Sequence, residues 1–332
     1  MIYVLCPGNF KSGGPELLHQ LVNQINSIKG EVGAKIAYFN YSDKLKPYDD
    51  SLVKYVPNAW TIESDVIDDS DNIVVIPEMF VNKMKNYKKS KRYIWWMSVD
   101  NFKFTNSFRD MWETGGFSHA VKWTLKGKGY NKVSLVKQAD MQLCQSYYSL
   151  DYLMKLGLPP KKCKFLSDYL NKSYLNNLES LNYPKKDIVL YNPKKGMKFT
   201  KRIIESSSKN VNWMPLINMT NSEVQALMRK AKVYIDFGEH PGKDRIPRES
   251  AISGCCVITD KQGSAAYYKD VPIMDEFKFD RKKENIPRIL DKIYDCLKNY
   301  DKNSKKFESY RSHILGERSQ FESDVKAIFD LS

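Results

Sequence analysis

Val233-Tyr234-Ile235-Asp236-Phe237-Gly238-Glu239-His240-Pro241-Gly242-Lys243-Asp244-Arg245-Ile246-Pro247-Arg248-Glu249 carries the decisive pattern: an apolar strand, Val233 to Asp236, runs into a loop crowded with charge. A short helix after Pro247 and a second strand at Cys255 to Thr259 follow. Strand, loop, helix and strand in that order predict parallel strands in an α/β layer. In such sheets ligands sit outside the carboxyl ends of the strands, and a helix starting there aims its free amides at an anion. Lys243 and Arg245 are placed to neutralise a diphosphate, and Glu249 to accept hydrogen bonds from ribose hydroxyls. The alternative is a surface loop with ordinary ion pairs.

The same unit recurs upstream. Asp187 to Tyr191 reads as a strand, followed by the turn Asn192-Pro193-Lys194-Lys195-Gly196 and a helix to about Ser206. Thr220-Asn221-Ser222-Glu223 has capping-box spacing and opens another helix. At the amino end, Ile2 to Cys6 is a strand, Pro7 to Gly14 a glycine-rich loop, and Leu17, Leu18, Leu21, Val22 and Ile25 recur at helical spacing. Gly13 and Gly14 occupy the place where glycine lets backbone approach a ligand closely. Further apolar runs at 36–39, 73–77, 93–99 and 141–144 predict more parallel strands. Polar sequence from about Asn171 to Lys186 separates the halves. The expected organisation is a first domain at 1–170, a second at 187–315 and a carboxyl-terminal helix at 316–332 that packs back on the first. Each domain is Rossmann-like, and the two face a cleft.

Three stretches resemble the GT-B glycosyltransferases, particularly the bacterial retaining enzymes that build surface polysaccharides. Ser12-Gly13-Gly14-Pro15-Glu16 is similar to their amino-terminal glycine loop, Asn192 to Gly196 to their basic turn, and Gly242 to Gly254 to their donor-binding segment. The resemblance implies a nucleotide-sugar donor and a saccharide or lipid-linked acceptor, with no metal and no bound cofactor. It further implies that Glu249 holds the ribose and that Lys195, with Lys194 or Arg245, holds the diphosphate. The family often carries a second glutamate eight positions before the first; here that position is Pro241, with Glu239 offset by two. Retaining and inverting chemistry therefore both stay open. Tyr93 to Val99 ends on Asp100-Asn101, where related enzymes place a polar group against the sugar or the acceptor. Asp100 is either a general base or a helix cap. Asp100, Asn101 and His240 are the candidate catalytic side chains.

Composition narrows the alternatives. The formal net charge of +14 calls for a negatively charged partner, but no nucleic-acid-binding motif accompanies it. Lys83, Lys88, Lys89 and Lys91 form a modest basic cluster suited to an anionic membrane. Six scattered cysteines, with no pair at metal or redox spacing, read as buried thiols. Met1 to Cys6 is too short for a signal peptide, and no run spans a bilayer, which predicts a cytoplasmic protein. Asp68-Asp69-Ser70-Asp71 precedes a strand as a turn does. A GT-B type epimerase and a non-enzymatic binder of nucleic acid or other anions are the remaining readings.

Overall fold

Strand β1 (Ile2–Pro7) is buried along nearly its whole length, as a strand covered on both faces of a parallel sheet must be. The computed structural model describes residues 1–9, 12–41, 46–127, 130–175 and 184–331. Half of the expected connection at 171–186 lies outside the described residues, as does part of the loop after β1. The chain divides into two compact units, Met1–Asp168 with Ser319–Ser332, and Tyr169–Arg318.

In the first unit β2 (Ala34–Phe39), β3 (Trp60–Ile62), β4 (Ile73–Pro77), β5 (Lys91–Trp96), β6 (Met141–Cys144) and β7 (Cys163–Phe165) join β1. They form a seven-stranded parallel sheet of order β3-β2-β1-β4-β5-β6-β7. The helices are α1 (Gly13–Lys29), α2 (Asp50–Val53), α3 (Val99–Lys103), α4 (Phe108–Gly115), α5 (Phe117–Leu125), α6 (Val133–Gln138) and α7 (Tyr147–Lys155). Trp95 and Trp96, on opposite faces of β5, are both fully buried. Their indole N–H groups donate to Leu166 O and Gln142 Oε1, so both belong to the core. The Asp68 turn is fastened rather than metal-bound: its carboxylate accepts the backbone N–H groups of Lys88, Lys89 and Ser90.

In the second unit β8 (Lys186–Tyr191), β9 (Asn212–Pro215), β10 (Ala231–Asp236), β11 (Cys256–Asp260) and β12 (Lys278–Phe279) form a parallel sheet of order β12-β11-β10-β8-β9. It is flanked by α8 (Lys172–Leu175), α9 (Met197–Ser206), α10 (Asn221–Lys230), α11 (Arg245–Ile252), α12 (Ile286–Lys298) and α13 (Tyr300–Lys305). The Thr220–Glu223 capping box forms as its sequence demands. Helix α14 (Glu308–Phe329) contributes residues up to Arg318 to this unit and the rest to the first. All six cysteines are free thiols, five buried and Cys163 partly so.

A buried ion cluster fastens the first half of α14 within the second unit. Glu317, 5% exposed, meets Lys243 Nζ at 2.8 Å and Arg248 Nη1 at 2.8 Å. Removing the partner of a buried charge costs far more than the pair contributes. Glu317→Ala is therefore expected to destabilise this unit by about 3–5 kcal/mol in urea unfolding. Adding Arg248→Met to that variant recovers part of the loss, because one stranded cation goes with it.

Candidate functional site

In the second sheet β8 has β9 on one side and β10 on the other. From β8 the chain runs through α9 to β9 on one side, then from β9 through α10 to β10 on the other, which makes the carboxyl ends of β8 and β10 the switch point where doubly wound sheets bind ligands. Three loops meet there. The loop after β8 ends on Gly196, which caps α9 at φ +58°. A Cβ on Gly196 would lie 1.9 Å from Phe237 O, in the loop after β10. Gly263, after β11, has φ +50°, and its Cβ would lie 1.9 Å from His240 O. Ser264 completes the closure, its N–H donating to His240 O at 2.8 Å and its hydroxyl to Gly242 O at 2.6 Å.

Charge fills the space between these loops. His240 is fully buried; its Nδ1 lies 3.0 Å from Asp244 Oδ2, and its Nε2 3.4 Å from Asp260 Oδ1 and 3.9 Å from Asp236 Oδ1. Burial works to lower its pKa, but Asp244, Asp260 and Asp236 outweigh that and push it up to about 10. Lys195 Nζ reaches both oxygens of Asp244, at 2.9 and 3.0 Å. Against its own burial that carboxylate raises the Lys195 pKa, so the ammonium stays charged. Arg281 closes the far side, with Nε 2.9 Å from Asp260 Oδ2 and Nη1 3.1 Å from Glu239 Oε1. Asp236 takes hydrogen bonds from Tyr234 Oη and Gly238 N; burial raises its pKa. Asp236, His240 and Asp244 offer ligand atoms within 4.8 Å of one another. The cations Lys195 and His240 already meet the Asp244 carboxylate that a metal ion would need.

The placement of the expected residues follows. Asp244 is the N-cap of α11, yet its side chain makes no capping hydrogen bond, because Lys195 and His240 take it. The helix starts at Arg245, two residues earlier than Pro247 suggests. Arg245 and Glu249 share one face of α11, four residues apart, and Glu249 together with burial raises the Tyr174 phenol. Lys194 is exposed beside Lys195. Lys195 is thus tied to the residue that precedes Arg245. Two of the expected residues have other partners. Lys243, read as a diphosphate ligand, turns away to Glu317, its side chain 7% exposed. His240, read as catalytic, has no surface to offer a substrate and is held as a cation between carboxylates. Arg281 and Asp260 are the site residues that local sequence did not single out.

In the first unit the corresponding switch point lies between β1 and β4. Gly13 and Gly14 form the first turn of α1, whose N-cap Ser12 makes no side-chain cap. A Cβ at Gly14 would meet only Met97 Cε, at 4.0 Å, so the glycine leaves open space. Beyond β5, Ser98 caps α3 by accepting from Asn101 N at 3.1 Å. Asp100 is therefore not the cap; its Oδ1 accepts from Tyr148 Oη at 2.8 Å, while Asn101 is exposed. Glu78, just after β4, is 2% exposed. Burial pushes its pKa up to about 8, against the N–H of Met97 that donates to Oε2 at 3.1 Å. The short motif Pro77-Glu78 gave no signal of this.

The His240 cluster makes stability depend on pH. In the unfolded chain a histidine titrates near 6.5, and in the folded chain His240 holds its proton up to about 10. The stability that proton contributes is complete below about pH 6.5 and is lost as pH rises to about 10. Urea unfolding across that range is expected to show this loss in the unmodified protein, and His240→Gln is expected to lack that share. Equal slopes in the two proteins would overturn the charged assignment.

No protein-family model and no curated protein sequence matches the chain. Solved structures do resemble it. HepE of Anabaena, in complex with UDP and glucose, matches with a TM-score of 0.65 at 10% identity, over 99% of each chain. The sucrose-phosphate synthase of Thermosynechococcus elongatus matches at 0.63 and 10% identity, over 99% of this chain and 97% of that one. The lipopolysaccharide outer core galactosyltransferase WaaB matches at 0.60 and 10% identity, over 99% of each chain. Together with the two parallel sheets, these likenesses give the chain the GT-B fold of two Rossmann-like units.

Proposed function

We propose that this protein is a glycosyltransferase that moves a sugar from a nucleotide-sugar donor to a saccharide or lipid-linked acceptor in surface polysaccharide synthesis. The observation that carries this reading is the helix start without a side-chain cap at the switch point of the second sheet, where Lys195 grips Asp244, the residue before Arg245, and Glu249 follows on α11. An ammonium group has three donors. Asp244 takes two directions of Lys195, and the remaining donor, on a side chain 34% exposed, is left for a phosphate oxygen. The positive end of α11 and the Arg245 guanidinium add to the field, while Glu249 suits a pair of ribose hydroxyls.

In the transfer, the bond from the sugar's anomeric carbon to the phosphate oxygen breaks as the bond to the acceptor oxygen forms. Negative charge grows on the departing diphosphate, and fixed cations there lower the barrier. Residues 187–315 bind the donor in this reading, and residues 1–170 the acceptor. There the room beside Gly14 and the Tyr148-held Asp100 offer space and a hydrogen-bond acceptor for a sugar hydroxyl. A cytoplasmic place, with peripheral contact to an anionic membrane, belongs to the same reading. Among the described residues no helix is long and apolar enough to cross a membrane. In the expected basic cluster Lys88, Lys89 and Lys91 are exposed, but Lys83 is paired with Glu63.

The deciding measurement is thermal melting with uridine, guanosine and cytidine diphosphates, followed by product analysis with the matching sugar nucleotides. One diphosphate is expected to raise the melting temperature. Lys195→Ala and Glu249→Ala are each expected to weaken its binding about tenfold or more, as loss of a charge-assisted hydrogen bond does. Silence with all three nucleotides sinks the donor site, and an epimerised sugar without a transfer product sinks the reaction.

A further inference from the structure

Between β5 and β6 the first unit inserts α3 to α6, and there its surface changes character. Thirteen large hydrophobic residues are exposed among the described residues, and six of them, Phe104, Phe108, Trp112, Phe117, Leu125 and Tyr130, fall in this one insertion. Trp112 is 55% exposed, Phe117 58% and Leu125 83%. Soluble surfaces carry scattered apolar residues, whereas a contiguous group marks a binding surface.

Here the residues are contiguous. Phe108, Trp112 and Phe117 meet edge to face, with centroids 6.4, 6.1 and 5.5 Å apart. Phe117, Val121 and Leu125 recur every fourth residue along α5, and with Lys122 and Lys126 they line a shallow depression. From Thr114 to Ala139 the sequence has no Asp or Glu, but it has five lysines.

We propose that the α4–α5 hairpin docks on an anionic lipid bilayer, setting Trp112, Phe117 and Leu125 among the headgroups while Lys122 and Lys126 face the lipid phosphates. Amphipathic aromatic rings favour that interfacial layer, and each lysine near an anionic surface adds its own attraction. Charge complementarity selects this occupant. A second copy of the chain would bring the same lysines against these, which like-charge repulsion opposes. The cluster at Lys83 to Lys91 is the weaker candidate, since Lys83 pairs with Glu63 and the Asp68 carboxylate lies beneath Lys88 and Lys89. The proposal deepens the peripheral membrane contact of the proposed function and rests on that reading, but its test is read with lipid and no nucleotide, so the two fail separately.

The full chain would be sedimented with vesicles of equal parts phosphatidylcholine and phosphatidylglycerol, and with phosphatidylcholine alone. Only the anionic vesicles are expected to carry it down strongly, and added salt to release it. Trp112→Ser with Phe117→Ser, and separately Lys122→Glu with Lys126→Glu, are each expected to weaken partitioning about tenfold or more. Both variants alter exposed side chains, so the melting temperature and nucleoside diphosphate binding should stay unchanged, which separates a failed dock from a failed fold or donor site. Equal binding by the variants, or no vesicle binding by the unmodified chain, overturns the proposal. So does a dimer in light scattering that the aromatic variant dissolves, since that outcome names a second copy as the occupant.

Discussion

One carboxylate organises the charged end of the second sheet. Asp244 lies 3.0 Å from His240 and is gripped at both oxygens by Lys195, so three segments, after β8, within the β10 loop and at the start of α11, depend on it. A histidine fully buried among carboxylates persists only as a cation, and those carboxylates persist in the interior only because cations face them. His240, Lys195 and Arg281 oppose Asp236, Asp244, Asp260 and Glu239, a near balance that keeps the cluster tolerable. What Asp244 gives to this cluster it withholds from its own helix. Hence α11 begins without a side-chain cap.

The corresponding position in the first unit is built on the opposite principle. Among the described residues of that unit, Glu78 just after β4 is buried, and burial pushes its pKa up to about 8. Open glycine backbone beside Gly14 leaves room for a neutral hydroxylated ligand. The charged end of the second sheet suits a diphosphate. The division of labour proposed between the two units thus rests on local electrostatics as well as on topology.

How far the sequence alone discloses this depends on length and depth. The central strands at 2–6, 73–77 and 233–236 announce themselves as apolar runs because both faces are covered. Strands β3, β7, β9 and β12 have between two and four residues each, three of them without a fully buried residue, so no period can declare itself. Lys195 and Glu249 stand out in the sequence by their place after a strand and on a helix. Position along a loop does not tell which way a side chain turns, so the partners of Lys243 and His240 emerge only in the folded chain. Arg281 reaches Asp260 and Glu239 from a separate loop after β12, a meeting that only the folded chain discloses. The α4–α5 surface was equally silent, because exposed and buried aromatics have the same letters.

The excess of basic residues shows the same limit. A net charge of +14 invites a single anionic partner, yet part of that charge is committed inside the protein. Lys185 Nζ donates to the carbonyls of Met228, Ala231 and Ser253, where α10 and α11 end. Lys278 donates to Ala265 O and Lys232 to Leu297 O. Cations at helix ends satisfy carbonyls that the helix itself cannot, so these lysines act as structural pins whose burial lowers the Lys185 and Lys278 pKa values, the latter to about 8. Of the positive charge that remains, part lies at the start of α11 and part along the carboxylate-free stretch of α5, two places whose neighbours differ. Beside α11 the neighbours are glycine backbone and a carboxylate, which fit a nucleotide; beside α5 they are exposed aromatic rings, which fit an interface with lipid.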